Sequence, residues 1–292
     1  MKIGLQANPR KPRALELGQR LVERIAGRAE LVVADELPAL GPDLPHQPLS
    51  EMRPDVIVAI GGDGTFLYTL SRNDAPLLPI NAGTFGVLAE VAGDKPPEFN
   101  DAVERLLSGF YHLEGRMKLG ADLERKPLPD ATNEYVVHAA RAGKMGLFEV
   151  ALDGEVAGRI RADGLIVATP TGSTAYSLSS FGPIVDPGLD ALVLTAIAPF
   201  RAEARSIVVE PLHTLRVRNV PPGRETVAIA DGQTEFPMPP DASLTVYRSP
   251  RRATFVRFGS TFFYRLRGKR ILPWSEEPGA GGGSLAHLPS PP

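Results

Sequence analysis

Gly61-Gly62-Asp63-Gly64-Thr65 is the stretch of this chain with the clearest capacity for chemistry. It follows Asp55-Val-Ile-Val-Ala-Ile60, a short β-branched apolar run that reads as a buried strand, and precedes Phe66-Leu-Tyr-Thr-Leu70, which reads as the start of a helix. A strand that breaks into a glycine turn before a helix suits a phosphate. Glycine lets the backbone approach the anion, and the unpaired N–H groups of the helix start point at it. Gly61, Gly62, Gly64 and Thr65 are therefore the phosphate-binding candidates. A carboxylate within such a turn repels phosphate unless a metal ion or a hydroxyl-bearing substrate sits beside it. Asp63 is the catalytic candidate on that ground. The plainer alternative is a tight strand–helix turn with a capping Asp.

A second dense region runs from Arg161-Ala-Asp163 through Thr169-Pro-Thr-Gly-Ser-Thr174-Ala-Tyr176-Ser-Leu-Ser179. An apolar strand, Leu165–Ala168, leads into hydroxyl residues and glycine. Short hydroxyl side chains can donate to phosphate or ribose oxygens, and Tyr176 offers a ring face. A Ser/Thr helix cap followed by a small-residue packing face fits the same residues. Asn133-Glu134, at the start of the apolar run Tyr135-Val-Val137, could read an adenine edge and a ribose hydroxyl, or could simply be a polar turn. Asp153-Gly154 lies between two alternating runs and reads as a hairpin turn. The five histidines show no metal-ligand spacing.

The chain has 292 residues, enough for two ordinary domains, and a net charge of −2, which argues against a dedicated nucleic-acid binder. It has no cysteine, so thiol catalysis, thiolate metal sites and disulfides are excluded, and a reducing cytoplasm is the expected compartment. The N-terminus turns polar too soon for a signal peptide, and no apolar run approaches the roughly 20 residues of a membrane helix. The first hundred residues alternate strand-like and helix-like runs, which predicts a Rossmann-like parallel sheet covered by helices. Asp35–Arg53 reads as a surface loop. From about Gly115 the pattern becomes a succession of short strands. The fold predicted is an α/β N-terminal nucleotide-binding domain, 1–110, followed by a mainly antiparallel β dinucleotide-binding domain, 111–259. Residues 260–278 are expected to return to the first domain, and 279–292, rich in Gly, Ala, Ser and Pro, read as a disordered tail.

Gly61-Gly-Asp-Gly-Thr65, Asn133-Glu134 and Asp163-Gly…Thr169-Pro-Thr-Gly-Ser-Thr-Ala-Tyr176, in this order and spacing, resemble the bacterial NAD kinase family, from about Lys2 to Trp274. The resemblance implies transfer of the γ-phosphoryl of ATP to the adenosine-ribose 2′-hydroxyl of NAD, a divalent cation such as Mg²⁺, and a homodimer or homotetramer. It implies that Asp63 is the catalytic acid residue and that Gly64 lines the same site. Asn133 and Glu134 would hold the adenosine, Lys144 would be a ligand contact, and Arg161 and Asp163 would lie toward the nicotinamide. Thr174, Ala175, Tyr176 and Ser179 would line the dinucleotide, with Ala198 and Gln233 as lesser contacts. Departures are Phe85 and Val87 in Asn81-Ala-Gly-Thr-Phe-Gly-Val-Leu88, Phe181 at a usual glycine, and Ala196 and Phe200 at a usual proline and histidine. A lipid kinase of the diacylglycerol type shares the first motif and is the competing enzyme reading. A non-catalytic dinucleotide sensor is the competing non-enzyme reading.

Overall fold

The structure, a computed structural model, describes residues 1–83, 86–141, 143–201, 203–220, 225–259, 262–268 and 271. Trp274 and the expected tail, 279–292, lie outside the described residues.

In the first part, β1 (Lys2–Ala7), β2 (Glu30–Ala34), β3 (His46–Gln47), β4 (Val56–Gly61) and β5 (Leu77–Asn81) pair in parallel in the order β5-β4-β1-β2-β3, and β6 (Val91–Ala92) adds to β5. β4 is buried at every position, as an unbroken Val/Ile run must be when both faces of a parallel sheet are covered. The cover includes α1 (Pro12–Ile25), α2 (Asp63–Arg72) and α3 (Pro96–Leu107). α1 opens on proline, whose missing N–H costs nothing there, and buries Ala14, Leu17, Leu21 and Ile25. The segment 35–53 differs from the loop expected of it. It carries β3 and buries Leu37, Leu40, Leu49 and Met52. These are single anchors between prolines, without period, so no pattern announces them.

The second part comprises β7 (His112–Leu123), β8 (Lys126–Ala131), β9 (Glu134–Ala139), β10 (Gly146–Leu152), β11 (Glu155–Ala162) and β12 (Gly164–Ala168). β13 (Leu192–Ile197), β14 (Ile207–Val209), β15 (Leu215–Asn219), β16 (Thr226–Ala230), β17 (Thr234–Met238) and β18 (Ser243–Arg257) follow. Two short helices, α4 (Tyr176–Ser179) and α5 (Phe262–Gly268), complete it. A six-stranded antiparallel sheet has the order β14-β13-β12-β9-β16-β17. The other second-part strands extend the parallel sheet into one of twelve strands. The junction is β18, antiparallel to β7 and β15 and parallel to β5 at Phe255↔Leu77. The two sheets face each other across a core that includes Val137, Leu165, Val167 and Ala228 from one and Leu119, Phe148, Val217 and Val246 from the other. The α/β and antiparallel-β architecture is thus as expected, with sheet continuity across the compositional divide.

At the junction the core is ionic. Arg116, Arg257 and Arg265 have side chains 2%, 1% and 8% exposed, against Glu90 at 2% and Glu114 at 28%. Arg257 bonds Glu90 at 3.2 Å, Glu114 at 2.5 Å and the Leu88 carbonyl at 3.1 Å. Burial works to raise the Glu114 carboxyl, but the charges of Arg116 and Arg257 outweigh it and hold the group down at about 2. Burial also brings the Arg116 guanidinium down to about 10. Taking one partner from such a network leaves buried charge uncompensated. Arg257→Ala is expected to lower unfolding free energy by about 3 kcal/mol or more, measured by urea denaturation. Arg267→Ala, on the exposed side of α5, should be near neutral in the same titration.

Candidate active site

Asp63 is the first residue of α2, immediately after the Gly62 cap. Its Oδ2 accepts the Val87 N–H at 2.9 Å and its Oδ1 the Leu88 N–H at 3.3 Å. The loop after β5 thereby fixes the direction of the carboxylate. Gly61 is obligatory for a spatial reason: a Cβ there would stand 2.3 Å from Thr65 Oγ1. Thr65 is drawn that close because the backbone turns straight from β4 into α2, with Thr65 N–H on the Gly62 carbonyl at 2.8 Å.

The Asn133–Glu134 pair is built around a residue of another strand connection, Asp231. Its carboxylate accepts the backbone N–H groups of Thr132 (2.8 Å), Asn133 (2.7 Å) and Glu134 (3.2 Å). Thr169, at the end of β12, bonds the Thr132 carbonyl through its hydroxyl and the Asn133 carbonyl through its N–H. Gly172 follows so closely that a Cβ would lie 2.1 Å from the Asn133 carbonyl oxygen. These contacts leave three buried oxygens, Thr132 Oγ1, Asn133 Oδ1 and Glu134 Oε2, without a partner. Unfilled buried polar atoms gathered at one place suit a ligand that carries hydrogen-bonding groups. Two residues past Asp231, Gln233 Nε2 donates to the Gly64 carbonyl at 2.8 Å. One turn between β16 and β17 therefore joins Asn133–Glu134 to the Asp63 turn.

The remaining candidates fall into two places. Thr174, Ala175, Tyr176 and Ser179 lie in the turn after Thr169, on the Asn133 side. Thr174 Oγ1 bonds the Thr171 carbonyl at 3.1 Å, Tyr176 is 40% exposed and Ser179 is exposed. Arg161, Asp163 and Ala198 lie at the opposite end of β12. Register pairs Ala168 with Glu134 but Gly164 with His138 and Ile197. At roughly 3.3 Å per residue, the five-residue strand separates the two places by about 17 Å. Asp163 ties its backbone to Ala139 and Ile197, and the Arg161 guanidinium lies 5.3 Å over the Phe200 ring. Lys144 is exposed and lines a cavity of about 220 Å³ with Ala139, Arg141 and Glu225, near that same end.

Comparison with known proteins settles the family. Residues 45–111 match the ATP-NAD kinase N-terminal domain and residues 132–258 the ATP-NAD kinase C-terminal domain. The NAD kinase of Thermococcus kodakarensis is 39% identical over 270 residues, 90% of this chain and 96% of that one. That of Methanothermobacter thermautotrophicus is 38% identical over 282 residues, 93% and 96% of the two chains. The chain belongs to the ATP-NAD kinase family. These relatives are archaeal, where the motifs had suggested the bacterial branch. Among solved structures, an Archaeoglobus fulgidus NAD kinase in complex with ATP superposes with a TM-score of 0.76 at 28% identity, covering 92% of this chain and 98% of that one. Yeast NADH kinase complexed with NADH shares the fold, with a TM-score of 0.82 at 22% identity over 94% and 87% of the chains. As a member of this family the chain is an enzyme, a phosphotransferase.

Within an NAD kinase frame the departures gain physical sense. Phe181 has a φ of +62° and is 96% exposed. A left-handed backbone explains the usual glycine, and Phe181 carries a strain of about 1 kcal/mol. Val87 is buried against Phe262 and Leu266 of α5, with Ile184 alongside, so the loop that holds Asp63 is backed by the last described helix. Phe85 lies outside the described residues. Phe200 is exposed beneath the Arg161 guanidinium. Asp231 and Lys11 were missed. Asp231 was one Asp-Gly among four, and only its pairing register shows that it faces Thr132–Glu134. Lys11 sits in the loop after β1, and its ammonium stands 3.5 Å and 3.4 Å from where side chains on Gly62 and Gly83 would begin. Basic residues directly after the first strand, in Asn8-Pro9-Arg10-Lys11, were the available signal.

Burial pushes the Glu134 carboxyl up to about 8, with the Asp231 charge adding to the shift. Burial likewise lifts Asp231 to about 6, against the pull of its three amide bonds and of Lys118. Both groups hold their protons more tightly folded than unfolded, where carboxyls titrate near ~4. The stability they give is therefore full at low pH and is lost as pH rises from the ordinary carboxylate range toward 8. The ligand-free protein should lose melting temperature across that window, and Glu134→Gln should flatten the slope. A slope equally steep in the variant would remove Glu134 as its source.

Proposed function

We propose that this NAD kinase moves the γ-phosphoryl of ATP to the 2′-hydroxyl of the adenosine ribose of NAD, with Asp63 at the reacting hydroxyl. The observation that carries the reading is the Asp231–Gln233 turn, which reaches Asn133–Glu134 by its carboxylate and Gly64 by its amide. An adenosine held at Asn133–Glu134 would therefore present its ribose to the Asp63 turn. The terminal P–O bond of the donor breaks, the 2′-oxygen takes the phosphoryl group, and the hydroxyl proton passes to Asp63 Oδ. A carboxylate with an ordinary pKa of about 4 cannot remove that proton in advance. Asp63 orients the hydroxyl first and accepts the proton as the new bond forms. The rest of catalysis is alignment and charge neutralisation, as a loose phosphoryl-transfer transition state requires.

Gly61, Gly62, Gly64 and Thr65 would cradle donor phosphates, and Thr174, Ala175, Tyr176 and Ser179 would line the dinucleotide. Mg²⁺ is the proposed cofactor. Among the described residues no group of three or more His, Cys, Asp or Glu side chains gathers as a metal cage. Asp63 would be the carboxylate at hand to help hold a divalent cation. When bound, it supplies charge neutralisation on those phosphates.

Arg161, Asp163 and Ala198 lie at the end of β12 away from Asn133, about 17 Å off by the strand spacing used above, and Lys144 lines the cavity near that end. We infer a homodimer or homotetramer in which this second group faces the dinucleotide of a neighbouring copy. The open edge strand β14, with Ile207 and Val208 exposed, is a surface for such a contact. Neither nucleic acid nor membrane is a proposed partner, and the cytoplasm is the proposed compartment. Asp63→Asn is expected to keep its fold and its affinity for NAD and to lose NADP formation by on the order of 10²-fold or more. Near-normal turnover in that variant, assayed by NADP formation with Mg²⁺-ATP, would take Asp63 out of the chemistry.

A further inference from the structure

We propose that Leu266 of α5 is a positioning residue for the phosphoryl transfer. It plugs the place where the loop that holds Asp63 meets the segment after α4, and it thereby keeps the Val87 amide on the Asp63 carboxylate. This rests on the kinase reading and adds to it a residue that acts through the loop rather than on a substrate.

Three segments meet at this place. Val87, Phe262 and Leu266 form a small apolar cluster of their own, with Ile184 and Ile271 packed against it. Val87 comes from the loop after β5, Phe262 and Leu266 from α5, and Ile184 from the segment between α4 and β13. Phe262 and Leu266 are one helical turn apart, so they share a face of α5. Leu266 is 0% exposed, against 7% for Val87 and 8% for Phe262, which makes it the most completely enclosed of the three. Charge ties the same helix down, since Arg265 reaches Glu90 at 3.4 Å and Glu114 at 3.9 Å.

The two amides on Asp63 are anchored differently. Leu88 donates to Oδ1 at 3.3 Å, its side chain belongs to the core of the parallel sheet, and its carbonyl is held by Arg257 at 3.1 Å. Val87 donates to Oδ2 at 2.9 Å, and its side chain belongs to the α5 cluster instead. The shorter of the two bonds on the carboxylate therefore depends on α5. A carboxylate held at one oxygen alone is free to turn about its Cβ–Cγ bond, because that torsion has only broad, shallow preferences. The cluster also reaches the acceptor side. Ile184 is followed by Val185, whose N–H donates to Ser173 Oγ at 3.0 Å, and the Ser173 hydroxyl donates to the Pro170 carbonyl at 2.6 Å. Ser173 directly precedes Thr174 in the turn proposed to line the dinucleotide. Leu266 thus backs both the carboxylate and that turn, whereas Asn133 and Glu134 are held by Asp231. Loss of the plug should disturb alignment, to which the transfer rate is sensitive, more than it disturbs binding.

The test is steady-state NADP formation by the full chain with Mg²⁺-ATP and NAD, below the melting temperature of each variant, together with hydrogen exchange at single amides followed by NMR. Leu266→Ala should lower kcat by on the order of tenfold or more and leave KM for NAD within about twofold. Leu266→Met, which keeps the volume, should recover most of the lost kcat. In Leu266→Ala the Val87 amide should exchange about tenfold faster or more, while the amides of Leu88 and of β4 keep their protection. Phe262→Leu trims the same cluster more gently and should show the same pattern in weaker form, also if Leu266→Ala does not fold. Arg267→Ala, on the exposed side of α5, should match the wild type. An unchanged kcat in Leu266→Ala, a rise in KM alone, or a Val87 amide as protected as in the wild type would overturn the assignment. Protection lost evenly across Val87, Leu88 and β4 would overturn it too, since that marks a general loss of stability. A wild type that forms no NADP would refute the kinase reading, and the Val87 exchange would still decide whether Leu266 holds the loop.

Discussion

The Asp63 end of this molecule depends on how one carboxylate is held. Asp63 begins a helix whose first N–H groups favour an anion, and it is oriented by the amides of Val87 and Leu88. Those amides are themselves fixed. The Leu88 carbonyl is bonded by Arg257, which is buried between Glu90 and Glu114, and Val87 packs against α5. The direction of a single side chain at the sheet's edge is thus set by a loop, a long strand and the last described helix acting together. Such a buried ionic core is poor economy for stability alone, because well-packed apolar residues do as well or better. Its value here is directional. Arg257 is a terminal residue of β18 and reaches a backbone carbonyl that no aliphatic chain could hold.

The second clamp, at Asp231, follows the same principle with opposite electrostatics. Three amides converge on its carboxylate, and burial lifts both it and Glu134 above the ordinary range. A carboxyl reluctant to ionise can donate as well as accept, which suits hydroxyls and amino groups rather than phosphate. Asp63 has amide donors from the loop after β5, whereas Glu134 is raised by burial and by the like charge of Asp231. The two carboxyl sites differ in environment, and in the proposed reaction that difference would separate recognition at Glu134 from chemistry at Asp63.

Much of this was legible in the sequence. The glycine turn, the strand before it and the alternation of the first hundred residues follow from periodicity and local turn chemistry, which act over a few residues. The Asp153-Gly154 hairpin is read the same way, and it has φ values of +50° and +90°. What stayed hidden depends on register between distant strands. Asp231 meets Asn133 from 98 residues away, and Gln233 meets Gly64 from 169. Nothing local distinguishes Asp231 from Asp153, since both sit in Asp-Gly turns. The continuity of one sheet across the compositional divide was equally hidden. β18 satisfies antiparallel neighbours along most of its length and a parallel one only at Phe255, a single register pair that no propensity encodes.

The arrangement of charge gives the site an internal order. Lys11 and Arg10 lie on the loop after β1, Asp63 lies at the head of α2, and the Glu134–Asp231 pair lies past Gln233. A donor and acceptor placed along that line put anionic phosphates against ammonium and guanidinium groups, and a neutral sugar against carboxyls that resist ionising. On the proposed reading, the transferred phosphoryl group and a carboxylate would come together at the Asp63 turn. There the repulsion needs a countercharge at the moment of transfer, which Lys11 across Gly62 and a phosphate-borne cation can both supply. A glycine at 62 is not dictated by the turn, whose φ of −126° any residue could adopt, and a Cβ there would stand 3.5 Å from the Lys11 ammonium, an ordinary contact distance.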